Sequence, residues 1–354
     1  MEINRRQFIC ASVASPFFTG SVIAAGTPAF VLAGKDKDGG YYSVLLDQNA
    51  RILRAVPLPG RAHGAAYCRQ SNTLITFARR PDQFAVAYAV ETTSPISVIQ
   101  SAKGRHFYGH GAFSKDGKFL YAAENDFDNE TGVIGIYDAQ DRFNRLGEWP
   151  SGGIGPHEIR CSNDGKRLII ANGGILTHPD YPRQKLNLPD MRPSLTILDL
   201  PTGDLVKQVV LDPTLRQVSL RHFAEDHQGT IWIGGQYQGP LIDDVPLLFK
   251  LGKASSVLEP LILPRSLGQG IKHYIGSVAV SKQGSKVAFS APKGNRVLIW
   301  NHQESSFETG YSESDICGLA PMGSGFLMST GPGKLIHETT EQLPFQWDNH
   351  ITAL

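Results

Sequence analysis

A histidine returns at one place in a repeating unit of this chain: His63-Gly-Ala-Ala-Tyr, His110-Gly-Ala-Phe-Ser, His157-Glu-Ile-Arg-Cys and His222-Phe-Ala-Glu-Asp. A further copy closes the chain at Trp347-Asp-Asn-His350, and Cys317 holds the same place in another. In the one copy left over, the place falls to Gly276 or Ser277. Imidazoles with a thiol and a carboxylate are the donors taken by a borderline transition metal such as iron, copper or zinc. His63, His110, His157, His222, His350, Cys317 and Glu124 are therefore the candidate metal ligands. Glu158 and Asp348 can bind directly or orient an imidazole from behind. A histidine at a strand start can instead do no more than hydrogen-bond its neighbour and hold it in register. His106, His273, His302 and His337 have no counterparts in the repeat and are read in that structural sense, and His178 acts only if its loop folds over the site.

Short strands must position these residues. After His110, His157 and His222 a turn follows (Asp116-Gly117, Asp164-Gly165, Gly229), and then an apolar strand. Further β-branched or apolar segments end each unit at 41–47, 83–91, 132–139, 194–200, 246–252, 296–302 and 334–340. A period of roughly 40 to 50 residues built from such strands predicts a β-propeller, here all-β with seven blades of about four strands. The N-terminal blade lacks its innermost strand, which the C-terminal 347–354 supplies, so the ring closes without a free strand edge. In such a blade the first strand lines the axis and the second runs back beside it. Arg79, Arg80, Glu124, Asn125, Asn172, Gln236 and Ser290 then share the mouth with the histidines, and Arg79, Arg80, Asn125, Asn172 and Gln236 are candidates for holding a bound ligand. The Pro-rich insertion 173–193 is expected to act as a lid or binding element.

Composition bounds the function. The 354 residues are 41% hydrophobic with a net charge of +1, which permits a large core and offers no basic stripe for nucleic acid. Asn4-Arg5-Arg6-Gln7-Phe8-Ile9, followed by a modest apolar run to residue 25, resembles a twin-arginine export signal. Residues 1–29 are read as that signal, residues 30–354 as one propeller domain, and the location as periplasmic. The run is too short and broken for a stable membrane span. Cys10 leaves with the signal, and the odd set Cys68, Cys161 and Cys317 argues against a disulfide framework. No strand–helix glycine motif for a nucleotide, no Gly-x-Ser-x-Gly elbow and no Cys-x-x-Cys-His for covalent haem occurs. Asp116-Gly117 and Asp164-Gly165 are turn residues rather than calcium ligands.

The run Gly109-His-Gly-Ala-Phe-Ser-Lys-Asp-Gly-Lys-Phe-Leu-Tyr-Ala-Ala-Glu-Asn-Asp126 resembles domain-of-unknown-function family 1513, as do Gly155-Pro-His-Glu158, Ala171-Asn-Gly-Gly174 and Trp347-Asp-Asn-His350. The resemblance covers essentially the whole mature chain. It implies a WD40- or YncE-like propeller, twin-arginine export, and a genomic setting beside imelysin-type periplasmic proteins and di-haem oxidoreductase-like proteins implicated in iron uptake. It carries no established catalytic residues. Three functions follow as expectations. The first is metal or metal-complex binding in iron acquisition, by a monomer working with imelysin-type partners. The second is a protein-docking scaffold with structural histidines. The third is a lactonase-like or metal-dependent enzyme, which the His/Glu/Arg mixture permits without an assignable proton-transfer pair.

Overall fold

The computed structural model describes residues 26–354 apart from 80–81, 182–183 and 269. The expected export motif therefore lies outside the described residues, and the first strand, Pro28–Asp36, begins two residues before the expected domain boundary. Seven four-stranded antiparallel sheets form seven blades. Each innermost strand packs on the next, and the last packs on the first, so the ring is closed.

Blade 1 opens with Ala62–Cys68, blade 2 with Arg105–Phe113, blade 3 with Pro156–Cys161 and blade 4 with Val218–Glu225. Blade 5 opens with Ser277–Val280 and blade 6 with Ile316–Met322. Blade 7 is the composite one: C-terminal Phe345–Ala353 pairs with N-terminal Pro28–Asp36, followed by Tyr41–Asp47 and Ile52–Leu58. The closing strand is held by packing as well as by its ladder. Phe345, Trp347 and Ile351 are buried with Phe30 and Leu32 of the same blade and Leu327 and Leu335 of blade 6.

The core is a set of layers between blades. Ala66 and Phe77 of blade 1 meet Phe107, Phe113 and Tyr137 of blade 2, and Tyr121 and Ile134 of blade 2 meet Ile159 and Leu168 of blade 3. No blade buries its apolar faces alone, which makes the ring the unit of stability. The turns behave as their residues predict. Asp116 Oδ1 accepts from Lys118 N, Asp164 Oδ1 accepts from Lys166 N, and Gly117 and Gly165 take positive φ. Cys68, Cys161 and Cys317 are free thiols. Among the described residues, no helix is long and apolar enough to cross a membrane.

The first strands differ from expectation in one respect that matters for the site. They start earlier, so most of the histidines lie within strands rather than at their beginnings. The register of the innermost pair breaks between Ala62 and Ala65, Phe107 and Gly111, Pro156 and Glu158, Leu220 and His222, and Ile316 and Leu319. In blade 7 it breaks opposite the segment between Trp347 and Ile351. Each break is at or beside the repeated His or Cys. A bulge bends the strand and re-aims a side chain, and here it does so around the axis.

Candidate metal centre

Five blades deliver one imidazole each to the axis. Ring centroids stand 4.4 Å apart for His63–His350, 4.9 Å for His63–His110, 5.1 Å for His110–His157, 4.7 Å for His157–His222 and 4.6 Å for His222–His350. The last pair comes from blades that are not neighbours, so the rings fill the axis rather than line a wide pore. His63, His110 and His222 are buried, and His157 and His350 are half-buried. Close approach of backbone permits this packing. A Cβ on Gly64 would come within 2.8 Å of His110 Nδ1, and one on Gly109, whose φ is +98°, within 2.9 Å of His63 Cδ2.

Hydrogen bonds from behind fix two of the rings. His63 Nδ1 is 2.9 Å from Asp348 Oδ1, and His222 Nδ1 is 3.0 Å from Glu158 Oε2. Asp348 also accepts from Arg61 Nε at 2.6 Å and Arg79 at 2.9 Å, while Glu158 accepts from Arg160 at 2.6 Å and from Phe223 N at 3.2 Å. Burial alone would raise both carboxyls. The bond to His63 with Arg79 and Arg61 holds Asp348 far below the usual range, and Arg160 with His222 does the same for Glu158. An ionised carboxylate only accepts, so Nδ1 of His63 and of His222 carries the proton and each Nε2 turns a lone pair to the axis.

The imidazoles themselves are neutral. Burial lowers His63 to about 4, against the opposing pull of Asp348. His110, His157 and His350 fall well below an ordinary histidine, first through burial and then through the neighbouring His63 or Arg221, and His222 also falls by burial. Neutral imidazole is the form that binds a metal. His63 Nε2 lies 3.2 Å from His350 Nε2, and His222 Nε2 lies 3.3 Å from His157 Nε2. Two nitrogens about 2.0–2.1 Å from one ion at a tetrahedral angle stand about 3.3–3.4 Å apart, so the rings already have the spacing of shared ligands. Among the described residues, the buried His110 Nε2 has no hydrogen-bond partner, which costs about 1–3 kcal/mol unless something binds it. Two triads have donor atoms mutually within 4.8 Å, His63/His110/His350 and His110/His157/His222, and His110 belongs to both.

The other expected site residues divide. Cys317 belongs to neither triad among the described residues. Its Sγ rests against Gly276, where a Cβ would come within 2.6 Å, and burial with Asp315 and Asp348 nearby raises its pKa, so it stays a thiol. Glu124 is fully buried, but its carboxylate bonds Tyr137 Oη and, at 2.8 Å, Arg145, towards the outer strands of blade 2. A buried carboxylate needs partners, and these hold Glu124 away from the histidines. Arg79 reaches the cluster, with its guanidinium 3.4 Å from His63 Nδ1. Arg80 lies outside the described residues.

Asn125 donates to His106 Nε2 at 3.0 Å and to Thr177 O at 2.9 Å, which ties the 173–193 insertion to blade 2. Asn172 donates to Ser151 O, Ser194 and Thr196 within and beside blade 3. Gln236 donates to Ile275 O at the mouth. His178 packs on Phe127 and is not part of the cluster. Arg61, Arg221 and Tyr274 were not among the candidates. Two of them carried a signal, a basic residue one or two positions before the repeated histidine, as in Arg61-Ala-His63 and Arg221-His222. Past the imidazoles, a cavity of about 510 Å³ follows the innermost strands, with His110 and His350 in its wall.

Fold and site together define a class: a seven-bladed β-propeller with a polyhistidine cluster on its axis, backed by ionised carboxylates. The chain belongs to the family described as "Protein of unknown function (DUF1513)", whose model matches residues 56–354 and so takes in all five histidines. No curated protein sequence matches it. Among solved structures it is similar to Kuenenia stuttgartiensis hydrazine synthase, at 13% identity over 92% of this chain and 99% of that one, with a TM-score of 0.62. It is also similar to the β-propeller domain of Myceliophteria thermophila Cps50 (Swd1), at 11% identity over 89% and 94%, with a TM-score of 0.59. At such identities the likeness is one of fold alone.

Proposed function

We propose that this protein is exported by the twin-arginine route to the periplasm and there binds one divalent ion of the iron, copper or zinc type at His63, His110, His157, His222 and His350. Its role is to hold and pass on metal within iron acquisition or related metal handling. The observation that carries the reading is His110 Nε2, a buried donor atom without a partner among the described residues and in the middle of four neutral rings. The loss of Cys317 and Glu124 from the set leaves neutral nitrogen donors alone, which suits late first-row divalent ions. The iron setting rests on the family's association with imelysin-type proteins.

Structural fastening has its own observation. His63–Asp348 joins blade 1 to blade 7, and His222–Glu158 joins blade 4 to blade 3. Those two histidines serve both purposes, whereas His110 Nε2 fastens nothing. The test is metal content by mass spectrometry on protein exported through its own signal, compared with a His110→Ala/His157→Ala variant. Near-stoichiometric metal that disappears in the folded variant is expected. No metal in wild type, even after reconstitution with iron, copper and zinc, would overturn the reading in favour of fastening.

A further inference from the structure

Charge around the imidazoles does not balance. Among the described residues, the two carboxylates Asp348 and Glu158 pair with three guanidiniums, those of Arg61, Arg79 and Arg160, a surplus of one positive charge before any ion enters. A divalent ion among neutral rings would add two more in a largely buried place, which is costly without a counter-charge. Asp348 cannot supply it, because it already accepts from His63, Arg61, Arg79 and Asn349 N.

The mouth above the rings is more basic still. Arg221 stands 3.3 Å from His157 Nδ1, and a Cβ on Gly173, at the start of the long insertion, would be 3.5 Å from its Cζ. The insertion brings in Lys185, whose Nζ donates to Gln238 Oε1 at 2.5 Å, and Gln238 in turn donates to Gln236 O at 2.8 Å. On the blade 5 side, Lys293 Nζ lies 4.4 Å from the centre of the Tyr274 ring. Gln236 pairs with Tyr274 across an antiparallel β-bridge, which joins the two sides. Burial lowers Lys185, and Arg221 and Lys293 lower it further. Tyr274 is raised by burial and by Cys317, against the charges of Arg79 and Arg221 and a bond to Gln236. Cations converging from blades 1, 3, 4 and 5 on a phenol and an amide form a recognition set for an oxyanion.

The geometry points to an anion site at this mouth: Arg79, Lys185, Arg221 and Lys293, with Tyr274 and Gln236, bind a small multivalent carboxylate or phosphate that lies over the imidazole cluster. In assigning that anion as the partner of the metal, the inference rests on the metal reading above. The basic site itself does not. The ligand would then be an anionic chelate, or an ion and an oxyanion taken together, and the insertion would supply the residue that selects for it.

The test is calorimetric titration of citrate, and separately of inorganic phosphate, into the mature protein, once stripped with a chelator and once loaded with metal. The Lys185→Gln/Lys293→Gln variant, altered only at exposed positions, is titrated alongside, with thermal melting to confirm its fold. Citrate or phosphate should bind the stripped wild type, and the variant should lose about tenfold or more in affinity for each charge-assisted hydrogen bond removed. Tighter citrate than phosphate assigns the site to polycarboxylates, and the reverse assigns it to phosphates. Binding that appears only with metal loaded, or that the lysine substitutions leave unchanged, overturns the inference. Anion binding in a protein that never takes metal would sink the metal reading and leave the basic mouth standing.

Discussion

His110→Ala separates a ligand cluster from a set of blade fasteners. His110 is the one residue common to both triads, so its removal breaks both, whereas His350→Ala leaves His110/His157/His222 intact. Loss of a residue that merely orients a ligand costs about 10–100-fold in metal affinity, and loss of a shared ligand must cost at least the upper figure, about 3 kcal/mol. The stability of the metal-free protein should respond differently. Removing the imidazole opens a small void but also removes the unpartnered buried Nε2, two effects of about 1–3 kcal/mol and opposite sign, so little net change is expected. The assay pairs competition titration against a chromophoric chelator with urea unfolding of the stripped proteins. Affinity should fall about 100-fold or more in His110→Ala and about tenfold or less in His350→Ala, with unfolding midpoints of His110→Ala near wild type. Equal loss in the two variants would refute the shared-ligand argument. Unchanged affinity with a large drop in stability would make His110 a fastener.

Three further outcomes are expected. Asp348→Asn, which keeps the shape but removes the charge fixing the His63 tautomer, should weaken metal binding by about tenfold, no more than His350→Ala in the same triad, and Glu158→Gln should act likewise on His222; chelator competition on the folded variants checks both. Because His63 falls from 6.5 to about 4 on folding, the unfolded chain binds more protons in acid, so stability present above pH 6.5 is lost as pH falls towards 4. That single shift is worth about 3 kcal/mol, of which about 2 kcal/mol goes by pH 5, and the other four rings act in the same direction; a urea midpoint that does not fall between pH 7.5 and pH 5 in stripped protein would contradict it. Trp347→Ala in the closing strand should destabilise by about 3–5 kcal/mol, and removal of residues 347–354 should abolish cooperative unfolding, both read by thermal melting.

How far the sequence reached can be judged residue by residue. Seven blades, the composite closing blade and the turn roles of Asp116 and Asp164 were legible because strand alternation and turn chemistry are local. The repeat then converted five distant histidines into one ring, since radial symmetry maps equal positions in the repeat onto equal positions about the axis. Strand pairing in three dimensions decided the rest. A bulge at each histidine changes which face a side chain takes, and no propensity marks where the extra residue falls. Glu124 has the right position at the end of a second strand, yet Tyr137 and Arg145 draw it outward, because a buried carboxylate goes to its hydrogen-bond donors. Cys317 has the right register but meets Gly276 instead of the cluster. Asp348 and Glu158 were visible as possible second partners, but which imidazole each fixes depends on the neighbouring blade. Lys185 and Tyr274 follow no sequence pattern, and they meet Arg221 because an insertion and the entries of blades 4 and 5 end at the same mouth. Sequence determined the ring and its imidazoles, which repeat. Tertiary structure decided how the charges pair around them, because those contacts cross between blades.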